Sequence, residues 1–212
     1  MTLRGAPATT FLLIALSSIE LTLMLFPSLR EWAYQWFAFA VLVENGQVQA
    51  TLSWPILTHA ALHGGRLHLG CNCAALAIFG PPVERSSGTL NYLAVFILAA
   101  AAGALTHYGW LLAMVESGFG APAPLTVLVG ASGAISGLLA MEILRRSRVL
   151  ALTPAALRRM SPGAYLRSSS ITFIAINLAI TLLPGFISGE AHIGGFLVGL
   201  ALAPILMRRV SD

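Results

Sequence analysis

A serine set among glycines and a histidine sixty residues later are the residue types in this chain best suited to a chemical reaction. Ser132 stands in Gly130-Ala131-Ser132-Gly133 at the start of one apolar stretch, and His192 precedes Gly194-Gly195 at the start of another. A serine hydroxyl attacks a carbonyl group when a base accepts its proton, so the pair predicts a nucleophile and a general base. Taken alone, Ser132 would be better explained by the packing hydrogen bonds common between membrane helices; the residues around it favour the nucleophile.

A second polar pair has the chemistry to support that reaction. His68 and Asn72 are four residues apart and share one face of a predicted helix. Attack on a carbonyl produces an oxyanion, which needs preorganised N–H donors in a dry site. His68, Asn72 and the backbone amide of Ser132, at a helix N-terminus, are predicted to supply those donors.

A catalytic triad and a metal site are less consistent with the spacing of these residues. A third, carboxylate member of a triad could come only from Glu116 or Glu190, and the spacing recommends neither, so a Ser-His dyad is predicted. A metal site could use the nearby imidazoles and a thiolate, but no HExxH pattern and no carboxylate accompany them, so no metal is expected. The candidate ligands for that alternative are His59, His63, His68 and Cys71.

The composition indicates a membrane protein. Of the 212 residues, 57% are hydrophobic and only 9% are charged, which is too little charge to cover a soluble domain. At about 20 residues per crossing, the chain accommodates six helices in a single domain over residues 1–212. The predicted all-α bundle has helices at about residues 10–26, 66–80, 91–114, 129–144, 168–183 and 190–207.

The arginines predict the orientation of this bundle. The basic character comes from arginine alone, and on six alternating helices ten of the twelve arginines fall on one side of the membrane. The positive-inside rule then places both termini in the cytoplasm and nucleic acid is not the expected partner. His68, Ser132 and His192 all fall near the outer ends of their helices and share one depth. The arginines on the cytoplasmic side are Arg4, Arg85, Arg145, Arg146, Arg148, Arg158, Arg159, Arg167, Arg208 and Arg209.

Small residues on two helices predict how Ser132 and His192 could meet. Gly133 and Gly137 on one segment, with Ala191, Gly195 and Gly199 on the other, have the four-residue spacing that lets helix backbones approach closely.

The other polar residues in or near apolar segments are predicted to have structural roles. Glu20, inside the first predicted helix, is expected to be protonated or paired in the bundle interior. His107 is expected at the membrane interface, and Pro81-Pro82 is expected to end the second helix before an aqueous loop at Glu84-Arg85.

With these motifs identified, the chain resembles the rhomboid family of intramembrane serine proteases. The resemblance spans Trp54 to about Met207. The segment containing Ser132 resembles the family's GxSG motif, His68-x-x-x-Asn72 resembles its second-helix motif, and His192 with the small residues after it resembles its last-helix motif. His59 and His63 match further histidines upstream of the second-helix motif. These histidines are expected to line the cavity together with Gly130, Gly133 and Gly195.

The resemblance implies a six-helix bundle that cleaves other transmembrane proteins in the lipid bilayer without a cofactor. It implies Ser132 as nucleophile, His192 as general base, and His68, Asn72 and the Ser132 amide as oxyanion hole. A bacterial inner membrane location is expected, and a branch that processes C-terminal sorting tails is kept open. The alternative function is a catalytically silent rhomboid-like protein that binds membrane clients.

The chain departs from the family pattern at two places. Trp54-Pro55 stands where members often have Trp-Arg, so the resemblance does not predict the orientation of the first loop. Ser136 stands where some members carry an aromatic ring that stacks on the catalytic histidine. The orientation of His192 is therefore expected to come from other packing or from a hydrogen bond.

Overall fold

A computed structural model describes residues 3–118, 122–155, 159–182 and 188–207. Six long helices form a bundle, and shorter elements occupy the connectors. In chain order the elements are α1 (Pro7–Leu25), α2 (Pro27–Phe37), β1 (Phe39–Glu44), β2 (Gln47–Ala50), α3 (Pro55–Thr58), a 3-10 turn (His59–Ala61), α4 (Arg66–Ser87), α5 (Thr89–Ser117), β3 (Leu125–Leu128), α6 (Ser132–Leu152), α7 (Pro162–Leu182) and α8 (Gly189–Leu206).

The predicted all-α membrane class is confirmed, and the chain is an integral membrane protein. In the described part of the chain, α1, α5, α7 and α8 are long and apolar enough to cross a membrane. The less apolar helices α4 and α6 carry most of the polar residues singled out above. Helix α6 is central, since it packs against α4, α5, α7 and α8 and buries every residue from 133 to 138.

Glycines bring the backbones of α6 and α8 into direct contact. A Cβ added at Gly195 would overlap the carbonyl oxygen of Gly133, and one added at Gly199 would overlap that of Gly137. Because the residue numbers of α6 and α8 increase in the same direction along the contact, the two helices run parallel. The predicted close approach is therefore present, and the N-terminal ends of α6 and α8 lie side by side.

A three-stranded antiparallel sheet, which the sequence analysis did not predict, lies beside the bundle. The strand order is β2-β1-β3, and Val41 pairs with Ala50 on one side and Thr126 on the other. Asn45 and Gly46 form the hairpin turn with φ angles of 51° and 75°, as expected for an Asn-Gly turn. Strand β3 leads directly into the turn before α6, so the sheet helps to place the start of that helix.

The prediction that Pro81-Pro82 ends the second helix is wrong, because α4 continues through both prolines to Ser87. Glu84, predicted to lie in an aqueous loop, is buried and accepts hydrogen bonds from the backbone amides of Ala8 and Thr9 at 2.9 and 2.8 Å. These bonds satisfy two backbone N–H groups in the first turn of α1, which have no acceptor within that helix. The contact holds the last turns of α4 against the start of α1.

The fourth helix, predicted to end near residue 144, continues as α6 to Leu152. Buried Glu142 pairs with Arg145 at 2.6 Å and with Arg146 at 2.7 Å, both on the same helix. Pairs three and four residues apart stabilise a helix, so these arginines extend α6 and do not interrupt it.

The fifth helix begins at Pro162, six residues before the predicted start. The Ser161 hydroxyl accepts a hydrogen bond from the amide of Ala164 at 3.2 Å, which caps a helix with proline in its first turn. The remaining predicted spans agree with α1, α5 and α8 within three residues at each end. The predicted end at residue 183, like Arg158, Arg208 and Arg209, lies outside the described residues.

Candidate functional site

Ser132 is the first residue of α6 and follows a turn that requires glycine. Gly130 has a φ of +115°, in the region that side chains other than hydrogen disfavour. Its amide donates to the carbonyl oxygen of His59 at 2.9 Å, which ties the turn to the first connector. The Ser132 hydroxyl is half-buried and makes no hydrogen bond to a described residue, whereas the Ser136 hydroxyl donates to the Ser132 carbonyl oxygen at 2.8 Å. A free hydroxyl therefore lies at the N-terminus of the central helix.

His68 and Asn72 pack against the same turn. A Cβ added at Gly130 would lie 2.6 Å from Cε1 and Nε2 of His68 and 3.5 Å from Nδ2 of Asn72. The amide of Gly64 donates to His68 Nδ1 at 3.3 Å, so the proton of the neutral ring is on Nε2. Asn72 Nδ2 is buried and has no partner in the described part of the chain. Two N–H donors thus lie beside the turn that leads into Ser132.

His192 lies in the first turn of α8, and a hydrogen bond fixes its ring. Its Nδ1 lies 2.7 Å from Oδ1 of Asn177 on α7. Asn177 Nδ2 donates to the Phe173 carbonyl oxygen at 2.9 Å, so Oδ1 is the acceptor and His192 Nδ1 is the donor. The neutral ring therefore leaves Nε2 unprotonated, the state a general base needs.

Ser132 and His192 approach each other through their helices. Gly133, next to Ser132, contacts α8 at Ala191 and Gly195, on either side of His192. Within the described residues no hydrogen bond joins the Ser132 hydroxyl to the His192 ring. Catalytic hydrogen bonds are often long before substrate binds and shorten in the complex, so this geometry is compatible with the predicted dyad.

The first connector has an anchor that replaces the missing Trp-Arg pair. Arg30 of α2 donates to Glu20 of α1 at 2.7 Å and to the His63 carbonyl oxygen at 3.2 Å. The Tyr34 hydroxyl donates to the same carbonyl oxygen at 2.7 Å. Hydrogen bonding to Glu20 raises the pKa of Arg30, which keeps the guanidinium charged. Glu20 is therefore paired, as its position in an apolar helix predicted.

His59 and His63 belong to the same connector and are buried. His59 Nδ1 bonds the Pro55 carbonyl oxygen at 2.9 Å. Neither ring nitrogen of His63 has a partner among the described residues, and burial followed by the nearby His68 ring lowers the pKa of His63 to about 4. The rings of His63 and His68 meet edge to face, with centroids 5.2 Å apart. His63 is thus a neutral residue that supports the His68 ring.

The prediction that His107 is an interfacial residue is wrong. His107 of α5 is buried, and its Nδ1 lies 2.7 Å from Oε1 of Glu190. Thr181 of α7 donates to the other carboxylate oxygen of Glu190 at 3.1 Å. Glu190 therefore connects α5, α7 and α8 and is bonded to a histidine other than His192.

The residues weighed as metal ligands do not form a cluster. Across residues 3–118, 122–155, 159–182 and 188–207, no three His, Cys, Asp or Glu side chains are placed to hold a metal ion. His59 bonds the protein backbone through Nδ1, and Cys71 is exposed and unbridged.

Asn177 is the site residue that the sequence analysis missed. It is the one buried residue among the described residues of α7. An asparagine inside a predicted membrane helix was the available signal, because polar side chains at that depth face the bundle interior and bind a partner. The partner itself could not be predicted, since nothing in the spacing connects Asn177 to a histidine fifteen residues later.

Comparison with known proteins gives a family match. A rhomboid domain model matches residues 51–209. RHOMBOID-like protein 6, mitochondrial, of Arabidopsis thaliana is 31% identical over 160 residues, which are 76% of this chain and 46% of that protein. Rhomboid protease AarA of Providencia stuartii is 31% identical over 166 residues, 73% of this chain and 57% of that protein. Rhomboid protease GluP of Bacillus subtilis is 29% identical over 202 residues, 95% of this chain and 35% of that protein. The chain spans about half the length of the first two relatives.

Proposed function

Because this chain belongs to the rhomboid family, we propose that it is an intramembrane serine endopeptidase that cleaves transmembrane proteins near the outer membrane face. The observation that carries the proposal is the joint placement of His68 and Asn72 against Gly130, two residues before a free Ser132 hydroxyl. A buried donor without a partner, such as Asn72 Nδ2, costs about 1–3 kcal/mol. An oxyanion that forms only during reaction would satisfy it.

The proposed mechanism assigns one role to each group. Ser132 Oγ attacks the carbonyl carbon of the scissile peptide while His192 Nε2 accepts its proton. The resulting oxyanion accepts N–H bonds from His68 Nε2, Asn72 Nδ2 and the backbone amide of Ser132. The intermediate then collapses, the peptide C–N bond breaks, and His192 returns its proton to the leaving amine. Water, deprotonated by the same imidazole, hydrolyses the acyl-enzyme and regenerates Ser132.

The same proposal includes an orientation. We place both termini in the cytoplasm of a bacterial inner membrane and treat the six helices as one domain. Arg85 near the end of α4, Arg148 on the second half of α6 and Arg167 near the start of α7 support the cytoplasmic side. The parallel contact of α6 and α8 supports a common outer depth for Ser132 and His192.

Labelling with a fluorophosphonate probe tests the nucleophile. The wild-type protein should be labelled, and Ser132→Ala should not be. Ser136→Ala is the matched control, because that serine lies one turn along the same helix and its hydroxyl donates to the backbone; it should be labelled normally. If Ser132→Ala were labelled as strongly as wild type, the assignment of Ser132 as the nucleophile would be wrong.

Cleavage of fluorescently tagged single-span membrane proteins in liposomes tests the reaction. Ser132→Ala and His192→Ala should each abolish cleavage, and the double variant should be no worse, because members of a catalytic unit are not additive. A wild-type protein that neither cleaves nor labels would support the silent, client-binding alternative.

A further inference from the structure

Three residue pairs join α7 to α8 along one stripe. The α7 residues are four positions apart and therefore lie on one helix face. Along α7, the pairs are Phe173 stacked on Phe196 with ring centroids 4.3 Å apart, Asn177 bonded to His192, and Thr181 bonded to Glu190. His192 belongs to the middle pair. Residue numbers increase along α7 while those of their partners on α8 decrease, so the two helices are antiparallel.

The hydrogen bonds of Asn177 permit only one arrangement at His192. Its Nδ2 donates to the Phe173 carbonyl oxygen at 2.9 Å, and its Oδ1 faces His192 Nδ1 at 2.7 Å. Rotating the amide by 180° would place Oδ1 against that carbonyl oxygen and leave two acceptors in contact. The amide therefore presents an acceptor to Nδ1, which must carry the proton of a neutral ring.

We propose that Asn177 is the positioning residue for His192: it holds the imidazole in the Nδ1–H tautomer and directs the unprotonated Nε2 towards Ser132. This role rests on the proposed protease function and deepens it. It supplies what an aromatic ring at position 136 would otherwise give, since Ser136 bonds the backbone of its own helix.

The position of Asn177 links the general base to α7. No other described residue of α7 is fully buried, and the partly buried Phe173 and Ile174 pack against a cluster that includes Ile143 of α6 and Phe196 of α8. On α8, a Cβ added at Gly189 would overlap the Asn177 carbonyl oxygen, which shows that the two backbones touch beside His192. A displacement of α7 away from α8 therefore removes the acceptor from Nδ1, and the base loses its fixed tautomer.

The test combines nitrogen NMR of the imidazole with kinetics. In protein labelled with 15N-histidine, the His192 signals are assigned by their loss in His192→Ala. Wild type should show a protonated Nδ1, and Asn177→Leu, which keeps the branching at Cγ and removes the acceptor, should show mixed tautomers. The same variant should lower kcat by about ten- to a hundredfold, by analogy with the loss of a hydrogen-bond partner that orients a metal-bound imidazole, with KM nearly unchanged.

Two further variants separate positioning from packing. Asn177→Asp, in the neutral carboxyl form that a buried membrane site favours, keeps an acceptor for Nδ1 and a donor for the Phe173 carbonyl oxygen, and should restore both the Nδ1–H tautomer and most of kcat. Thr181→Val removes the bond to Glu190 and the bond from the same hydroxyl to the Asn177 carbonyl oxygen at 2.9 Å. It leaves the Asn177 amide and the His192 ring in place, so its kcat should stay within threefold of wild type. The tautomer measurement does not depend on protease activity. A protonated Nε2 in wild type, an unchanged tautomer in Asn177→Leu, or an equal loss of kcat in Thr181→Val would each overturn the proposal.

Discussion

Replacing Gly199 with alanine should force α8 away from α6 and slow catalysis, although Gly199 itself lies outside the catalytic site. A Cβ added there would lie 2.6 Å from Cα and C of Gly137. Carbon atoms in contact are ordinarily about 3.5–4.0 Å apart, so the shortfall is about 1 Å. The opposing atoms belong to backbone, which has no flexible side chain to move aside. The helix as a whole must shift by about that distance.

The size of the effect follows from the position of His192 on the same helix. Gly199 is seven residues, about two turns, from His192, so a shift of α8 moves the base relative to Ser132. A misplacement of about 1 Å at a reacting group costs roughly a hundredfold in rate. We therefore expect kcat/KM to fall about a hundredfold, and overpacking to lower the free energy of unfolding by about 1–3 kcal/mol.

The assay is cleavage of a tagged transmembrane substrate in liposomes, with thermal unfolding in detergent as a check that the protein is folded. Gly109→Ala in α5 is the matched control, because a Cβ there meets no atom within 4 Å. It should keep wild-type activity and gain up to about 1 kcal/mol from the better helix propensity of alanine. If folded Gly199→Ala cleaved as fast as Gly109→Ala, the argument that close backbone contact positions His192 would be refuted.

Three other predictions concern polar residues around the site. Asn72→Ala should lower kcat by about ten- to a thousandfold, the cost of one oxyanion donor, while fluorophosphonate labelling persists. Thermal stability should not fall, since Nδ2 has no partner among the described residues. An unchanged kcat would contradict the assignment of Asn72 to the oxyanion hole. Arg30→Met should lower the unfolding free energy by about 3 kcal/mol by leaving the charge of buried Glu20 unpaired, and adding Glu20→Gln should recover most of it in detergent melts; no recovery would refute the pairing. Burial lowers the pKa of His63 from 6.5 to about 4. The free energy of unfolding is therefore unaffected by this residue's titration above pH 6.5 and falls by up to about 3 kcal/mol as pH falls towards 4. Melts of His63→Leu should lack that fall, and the same pH dependence of stability in both proteins would contradict the prediction.

Much of the bundle could be predicted because membrane helices have a strong sequence signal. Each must bring about 20 mostly apolar residues and satisfy its own backbone, so α1, α5 and α8 were located within three residues. The Gly133 and Gly195 contact was predictable for a similar reason, since small residues repeated every fourth position let membrane helices touch. These features depend on local sequence alone.

The features that were missed depend on contacts between distant residues. Helix α4 continues through Pro81-Pro82 because Glu84 bonds the first turn of α1, more than seventy residues earlier. Helix α6 continues because Glu142 is buried and pairs with the arginines that suggested a loop. The β1–β2 hairpin is different, because its Asn45-Gly46 turn between alternating apolar residues is a local signal that the aromatic content of this connector obscured.

The partners of the buried carboxylates are consistent with the proposed Ser-His dyad, which has no third carboxylate member. Four glutamates are buried in the described residues, and each is bonded elsewhere: Glu20 to Arg30, Glu84 to Thr9, Glu142 to Arg145, and Glu190 to His107. None is available to His192, whose Nδ1 faces the neutral amide of Asn177. A carboxylate there would have to remain charged in a poorly solvated site between two membrane helices, which is expensive without a paired cation. The amide orients the imidazole without that desolvation cost.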